Sequence, residues 1–295
     1  MHRIHALGLT LFLWFLFFCV QMTYGQTDAT DYKIYDTAKH KEISFKKLTK
    51  RLSKQDVIFF GEEHNDSIAH LLELALFKAM AEERETALSL EMFQTDVQLV
   101  LDEYLNDLIS AANLERDARP WNNYATDYKP LVSYAKEKHL SVIAANAPSR
   151  YTNRVSKKGL ESLNELSEMA KNYLAPLPID TLTGKYYENF AEIMGGHQFM
   201  GDMKIYQSQN LWDATMAYKI AQFRKDHPEY LVLHLNGRFH SDEKLGAYQQ
   251  LLHYDPSVKV ANISCFSGQT FDHPNWEDLQ HLGDFIILTR PNVLK

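Results

Sequence analysis

Two segments of this chain of 295 residues repeat one unit: an apolar run, a glycine, two further residues and a histidine. The first is Val57-Ile58-Phe59-Phe60-Gly61-Glu62-Glu63-His64, and the second closes in Gly237-Arg238-Phe239-His240. A third apolar run carries a carboxylate inside it, Leu90-Glu91-Met92-Phe93. An isolated charge is costly to bury, so Glu91 needs a partner. Glu62, His64, Glu91 and His240 offer the oxygen and nitrogen donors that zinc takes, and a catalytic zinc keeps one position open for water. Their spacing is not that of His-Glu-x-x-His, so only the fold can assemble them into a site.

Each residue also has a plain structural reading. Glu62 and Glu63 can be solvated turn carboxylates, His64 and His240 helix-capping or core histidines, and Glu91 the partner of a structural arginine. Their convergence on one predicted edge favours a site. Asn65 or Asp66 can cap the helix after His64, and Ser241 the helix after His240. The two glycines permit sharp turns. A helix N-terminus disfavours a protonated imidazole, and the neutral form is the one that binds metal. His234 alternates with Leu233 and Leu235 and reads as structural; His70 can face either the site or solvent.

The elements that must position these groups alternate. Strands are predicted at Val57–Phe60, Thr86–Phe93, Ser141–Ala145, Tyr230–Leu235, Val258–Cys265 and Phe285–Leu288. Apolar residues Ile68, Leu71, Leu72, Ala75, Leu76, Ala79 and Met80 give a helix after the first strand, and one runs on to Ile109 after the second. Lys129–Lys138 and Ser241–Leu252 read as helices. Helical sequence dominates from Ser149 to Arg224, broken at Pro176 and Pro178. The expected class is α/β: a mostly parallel central sheet, helices on both faces and a helical insertion in the second half. Ligands of such sheets bind beyond the carboxyl ends of the strands. The polar aromatic stretch Trp121–Pro130 reads either as a packed wall or as a ligand platform, with Tyr128 at a helix start.

The first residues run basic, apolar and small: Arg3, then Ala6 to Val20, then Thr23-Tyr24-Gly25 before Gln26. That order is a secretory signal, and the apolar run is shorter than the roughly 20 residues that span a bilayer. Residues 1–25 are therefore expected to be a signal peptide and 26–295 a single α/β domain, exported to the periplasm or cell envelope. Cys19 offers lipid anchoring as the alternative, although Phe17 and Phe18 stand where small residues are usual. The remaining cysteine, Cys265, cannot form an internal disulfide. The net charge of −7 argues against a nucleic-acid partner.

The ordered set of motifs resembles the ChaN-like haem-binding uptake proteins, a family within the Tiki and erythromycin-esterase-like superfamily. The similarity is carried by Gly61-Glu62-x-His64 with His70 downstream, Leu90-Glu91-Met92-Phe93, Tyr128-x-Pro130, Asn146-x-Pro148, Gln209-x-x-Asp213-Ala214-x-Met216-Ala217 and Gly237-x-x-His240, spanning Asp56 to Leu252. Ala69, Gln198 and Trp212 depart from it, as does Gly246-Ala247-Tyr248. The resemblance implies haem as cofactor, iron uptake in a Gram-negative envelope and a tyrosine axial ligand. A homodimer holding paired haems and an outer-membrane uptake receptor are the implied partners. Tyr128 is the first candidate ligand and Tyr124 the second, with His64, His197 and His240 about the cofactor. Arg150 is the candidate for the propionates, since guanidinium pairs well with carboxylate. A tyrosinate ligand needs a neighbour that lowers the phenol pKa.

Two further readings remain open. One is a metal-dependent hydrolase, of peptidase or esterase type, in which Glu62, His64, Glu91 and His240 hold zinc or another divalent ion. The other is a binding scaffold that keeps the fold without either activity.

Overall fold

The structure is a computed structural model that describes residues 30–196 and 203–291. The expected leader with Cys19 and Gln26, and also His197, lie outside the described residues.

The strands are β1 (Tyr32–Asp36), β2 (Lys41–Ile43), β3 (Val57–Glu62), β4 (Thr86–Gln94), β5 (Val142–Asn146), β6 (Leu231–Gly237), β7 (Val260–Ser267) and β8 (Phe285–Thr289). They form one sheet in the order β2-β1-β8-β7-β3-β6-β4-β5. From β8 through β5 the pairing is parallel; β1 joins β8 antiparallel, and β2 joins β1 likewise. The helices are α1 (Phe45–Leu52), α2 (Ser67–Glu83), α3 (Gln98–Leu105), α4 (Ala111–Asp117), α5 (Lys129–Glu137), α6 (Ser149–Lys158), α7 (Glu168–Lys171), α8 (Lys185–Ile193), α9 (Met203–Asp226), α10 (Ala247–Tyr254) and α11 (Trp276–Leu279). The mostly parallel sheet with helices on both faces is thus the observed class, and α6 to α9 form the helical second half.

The central strands are apolar throughout because both faces are covered. In β3, Ile58 and Phe60 pack on the face of α1, α2 and α5, while Val57 and Phe59 enter a second core with Met216, Ile220 and Leu251 of α9 and α10. Phe59 and Phe60 are buried on opposite faces, each contributing about 1.5–3 kcal/mol of apolar burial. A third core joins Val155 of α6 to Leu211 and Ala214 of α9. No helix among the described residues is long and apolar enough to cross a membrane.

Three local differences separate the sequence reading from the structure. The β1–β2 hairpin is absent from the reading, because β2 has only three residues and two of them are exposed. Ser241 does not cap a long helix. Glu243, Lys244 and Gly246 take positive φ, so the chain passes through short turns and α10 begins only at Ala247. Tyr124–Tyr128 forms a wide π-type turn ahead of α5, a form frequent at functional sites.

Candidate functional site

Strands β3 and β6 lie side by side with Gly61 opposite Asn236 and Glu62 opposite Gly237. That register brings the two Gly-x-x-His units to one edge. Neither glycine is needed for a positive φ; both are needed for close approach. A Cβ on Gly61 would meet Cα of Arg238 at 2.9 Å, and one on Gly237 would meet Nε2 of His64 at 2.9 Å.

His64 and His240 face an open cleft of about 980 Å³, together with Glu62, Trp121, Arg238 and Phe239. Nδ1 of His64 is 2.8 Å from Oε1 of Glu62. Nδ1 of His240 is 2.7 Å from Oδ1 of Asp213 and 3.0 Å from the amide of Gln209, both on α9. Each histidine therefore has a carboxylate behind it, the arrangement that fixes tautomer and ring direction in metal and acid–base sites. Glu91 completes the group: one oxygen accepts the Gly237 N–H at 2.7 Å, and the other is 3.4 Å from Nε2 of His240. The partner that Glu91 required is a histidine, not an arginine.

Burial opposes charge on Glu91 and His240, but each charge outweighs that for the other. Glu91 is held well below the usual carboxylate range, and His240, with Asp213 adding its own pull, is held well above the usual histidine range. The expectation of a neutral His240 beside a helix N-terminus is overturned, since that helix does not begin there. Burial pushes Asp213 itself upward, although His240 and Tyr186 pull the other way. His64 is half-exposed; burial lowers its pKa, and the hydrogen bond to Glu62 with the charge of Glu91 more than offsets this.

Behind the cleft wall lies a second polar group. Asp66 caps α2 by accepting from Ile68 N and Ala69 N. This turns His70 and Glu73, one helical turn apart, down onto the sheet. Glu62 and Glu73 are almost wholly buried and both carboxyls are pushed up. Burial is the main cause for each; the Glu73 charge adds for Glu62, and the Asp66 and Asp127 charges for Glu73.

Tyr128 stands in this inner group and not in the cleft. It is 1 % exposed, donates its phenol to Oε1 of Glu62 and lies edge-on beneath Trp121. Burial, then the neighbouring carboxylates, push the phenol far above its ordinary pKa. Tyr124 is also buried, against Phe93, and burial raises its phenol too. No tyrosine lines the cleft among the described residues. Arg150 does not reach the cleft either: its guanidinium pairs with Asp96 and lies over Tyr151. Arg238, 2.7 Å from Asp242 and stacked on Phe266, is the guanidinium that lines the cleft among the described residues. His234 is fully buried beside Ser89 and Phe59, as its alternation suggested.

The model of a protein family described as "Haem-binding uptake, Tiki superfamily, ChaN" matches residues 48–251. The chain belongs to this family. Among solved structures, the ChaN of Campylobacter jejuni, described for its cofacial haem binding, shares the fold. Its TM-score is 0.63 at 18 % identity, over 88 % of this chain and 98 % of that one. A mutant of the erythromycin esterase EreC, in its open conformation, aligns at a TM-score of 0.49 and 14 % identity, over 88 % of this chain and 83 % of that one. No curated protein sequence matches the chain. The ChaN match encloses both Gly-x-x-His units, Glu91 and α9, and it ends within α10.

The sequence reading missed Asp213 and Gln209 as site residues, although both stood in the long-helix motif; what they orient depends on where α9 crosses the sheet. It missed Glu73 because α2 is apolar nearly all round, which hides the face that packs down. It missed Arg238, whose partner Asp242 was taken into a helix that begins only at Ala247.

Proposed function

We propose that this ChaN-family protein binds haem in the cleft at the carboxyl edge of β3 and β6. The observation that carries the reading is the cleft itself. It is about 980 Å³, broad enough for a flat macrocycle, is walled by Trp121 and Phe239, and has Arg238 at its margin for a propionate. Bound haem would supply a ferric centre, and the protein would supply its axial ligand. The tyrosine ligand implied by the resemblance is not what this cleft offers. Tyr128 lies under Trp121 with its proton held by Glu62. His64 is half-exposed, has no hydrogen bond at Nε2 among the described residues and is oriented through Nδ1, so it is the ligand we assign. Haemin titration of the purified protein tests the reading. A sharp Soret shift saturating at one haem per chain is expected, and no shift would refute haem binding.

A metal-dependent hydrolase is the second reading, favoured by the two carboxylate–histidine pairs on either side of Glu91. A zinc held through dialysis at His64 and His240, with activity on an ester or peptide and no haemin spectrum, would replace the first reading.

The role calls for export, with residues 1–25 removed and Gln26 as the new N-terminus. The mass of the secreted chain decides this, and a mass carrying diacylglycerol on Cys19 would make it a lipoprotein instead. A homodimer and an outer-membrane receptor are the partners that such a role would use.

A further inference from the structure

Among the described residues, every polar contact of the His70 ring nitrogens is with a hydrogen-bond acceptor. Nε2 lies 3.1 Å from the carbonyl of His64 and 3.5 Å from Oδ2 of Asp127. Nδ1 lies 3.0 Å from Oε2 of Glu73 and 3.4 Å from Oε2 of Glu62. A neutral imidazole carries one N–H. With that proton on Nε2, donated to the His64 carbonyl, the Nδ1 lone pair faces two carboxylate oxygens.

Among the described residues, Oε2 of Glu62 and Oε1 of Glu73 are also buried with no hydrogen bond of ordinary geometry, although the two carboxyls lie close enough to share one proton. Leaving a buried polar oxygen unmet is costly. Glu62, His70 and Glu73 each offer one possible ligand atom here, and the three atoms lie within 4.8 Å of one another. Their spacing has a chemical meaning. Ligands at about 2.1 Å from a metal stand about 3.0 Å apart in an octahedron and about 3.4 Å apart in a tetrahedron. The separations of Nδ1 from the two Oε2 atoms are 3.0 and 3.4 Å.

From this we infer a buried site for a divalent first-row transition ion, held by Nδ1 of His70 and one carboxylate oxygen each of Glu62 and Glu73. One imidazole with two carboxylates suits zinc, manganese or iron(II) more than calcium, which takes oxygen donors alone and more of them. The site is distinct from the cleft group of His64, Glu91 and His240, because His70 and Glu73 come from α2 and neither lines the cleft. It shares only Glu62, whose other oxygen serves His64 and Tyr128. An ion here would neutralise the two carboxyls beneath the cleft and would fix the hydrogen-bond partner that orients His64.

The full chain, stripped with a chelator and dialysed against Co²⁺, tests this. One Co²⁺ per chain is expected, with visible d–d bands. Glu73→Gln should weaken binding by at least about tenfold. His240→Gln and Glu91→Gln should leave it unchanged. Circular dichroism identifies any variant that has lost its fold. X-ray absorption of the zinc-loaded wild-type chain gives a test free of mutation: one imidazole among oxygen donors supports the site, and two imidazoles place the ion in the cleft and overturn it. A wild-type chain that takes up no ion overturns it as well, and leaves a proton on Nδ1 of His70 as what joins the cluster. Haemin binding is read separately, so either conclusion can fail without the other.

Discussion

The imidazole of His64 rests on the α-carbon of Gly237, so closely that a Cβ there would stand 2.9 Å from Nε2 and 3.0 Å from Cε1. The second Gly-x-x-His unit thus shapes the seat of the first unit's histidine. The contact exists because Glu62 and Gly237 are register partners on adjacent parallel strands.

Gly237→Ala should therefore displace the His64 ring while leaving the sheet intact. Gly237 has a negative φ that alanine can adopt, so the penalty is the crowding, of order 1–3 kcal/mol. Thermal melting should show a folded protein, and haemin affinity should fall with it. Unchanged affinity in a folded variant would separate His64 from the haem site.

Ligand assignment separates two substitutions. His64→Ala should abolish the Soret shift expected for an imidazole-ligated ferric haem, and Tyr128→Phe should keep it. Tyr128→Phe removes a hydrogen bond to a buried carboxyl, so about 1.5–3 kcal/mol of stability should go. The opposite pattern, with the spectrum lost in Tyr128→Phe alone, would mean that Trp121 swings away and a tyrosinate binds the iron.

Glu91 and His240 should prove strongly coupled. His240→Gln leaves Glu91 buried without its paired cation, at a cost of about 3–5 kcal/mol. Removing both charges, as Glu91→Gln with His240→Gln, should cost less than the sum of the single changes by at least about 1 kcal/mol. Urea unfolding of the four proteins gives the cycle, and simple additivity would deny the ion pair.

His234 should contribute to acid sensitivity. Burial lowers its pKa from 6.5 to about 3, with no facing charge strong enough to restore it. As pH falls below 6.5 the unfolded chain takes up a proton that the folded chain refuses. The stability in question is therefore complete above 6.5 and is lost progressively down to about 3, a loss on the order of a few kcal/mol. His234→Gln does not titrate and can still bond to Ser89, so its acid unfolding midpoint should lie at lower pH. Equal midpoints would show that other groups govern acid unfolding.

The sequence by itself determined the class of fold and pointed to the edge at which the candidate site lies. Continuous apolar runs of strand length, separated by helical periodicity, have few solutions other than a parallel sheet covered on both faces. Glycine followed by histidine at the ends of two such runs then marks the ligand edge. The motif order also carried the resemblance to the family to which the chain belongs.

What only the tertiary structure decided is which side chains meet, and in what charge state. Tyr128 and Arg150 stand beside the right motifs, yet Trp121 covers one and Asp96 takes the other. A motif fixes where a Cα enters, but exposure depends on what packs above it. His240 was expected neutral from its local sequence, and instead Asp213, 27 residues away in sequence, and Glu91, on another strand, keep it charged. The Glu62–His70–Glu73 cluster depends on which face of α2 turns down, and a helix apolar nearly all round does not reveal that face in its periodicity. Charge state and coordination follow from distances of a few ångströms between residues far apart in the chain, and those distances are set only when the helices close over the sheet.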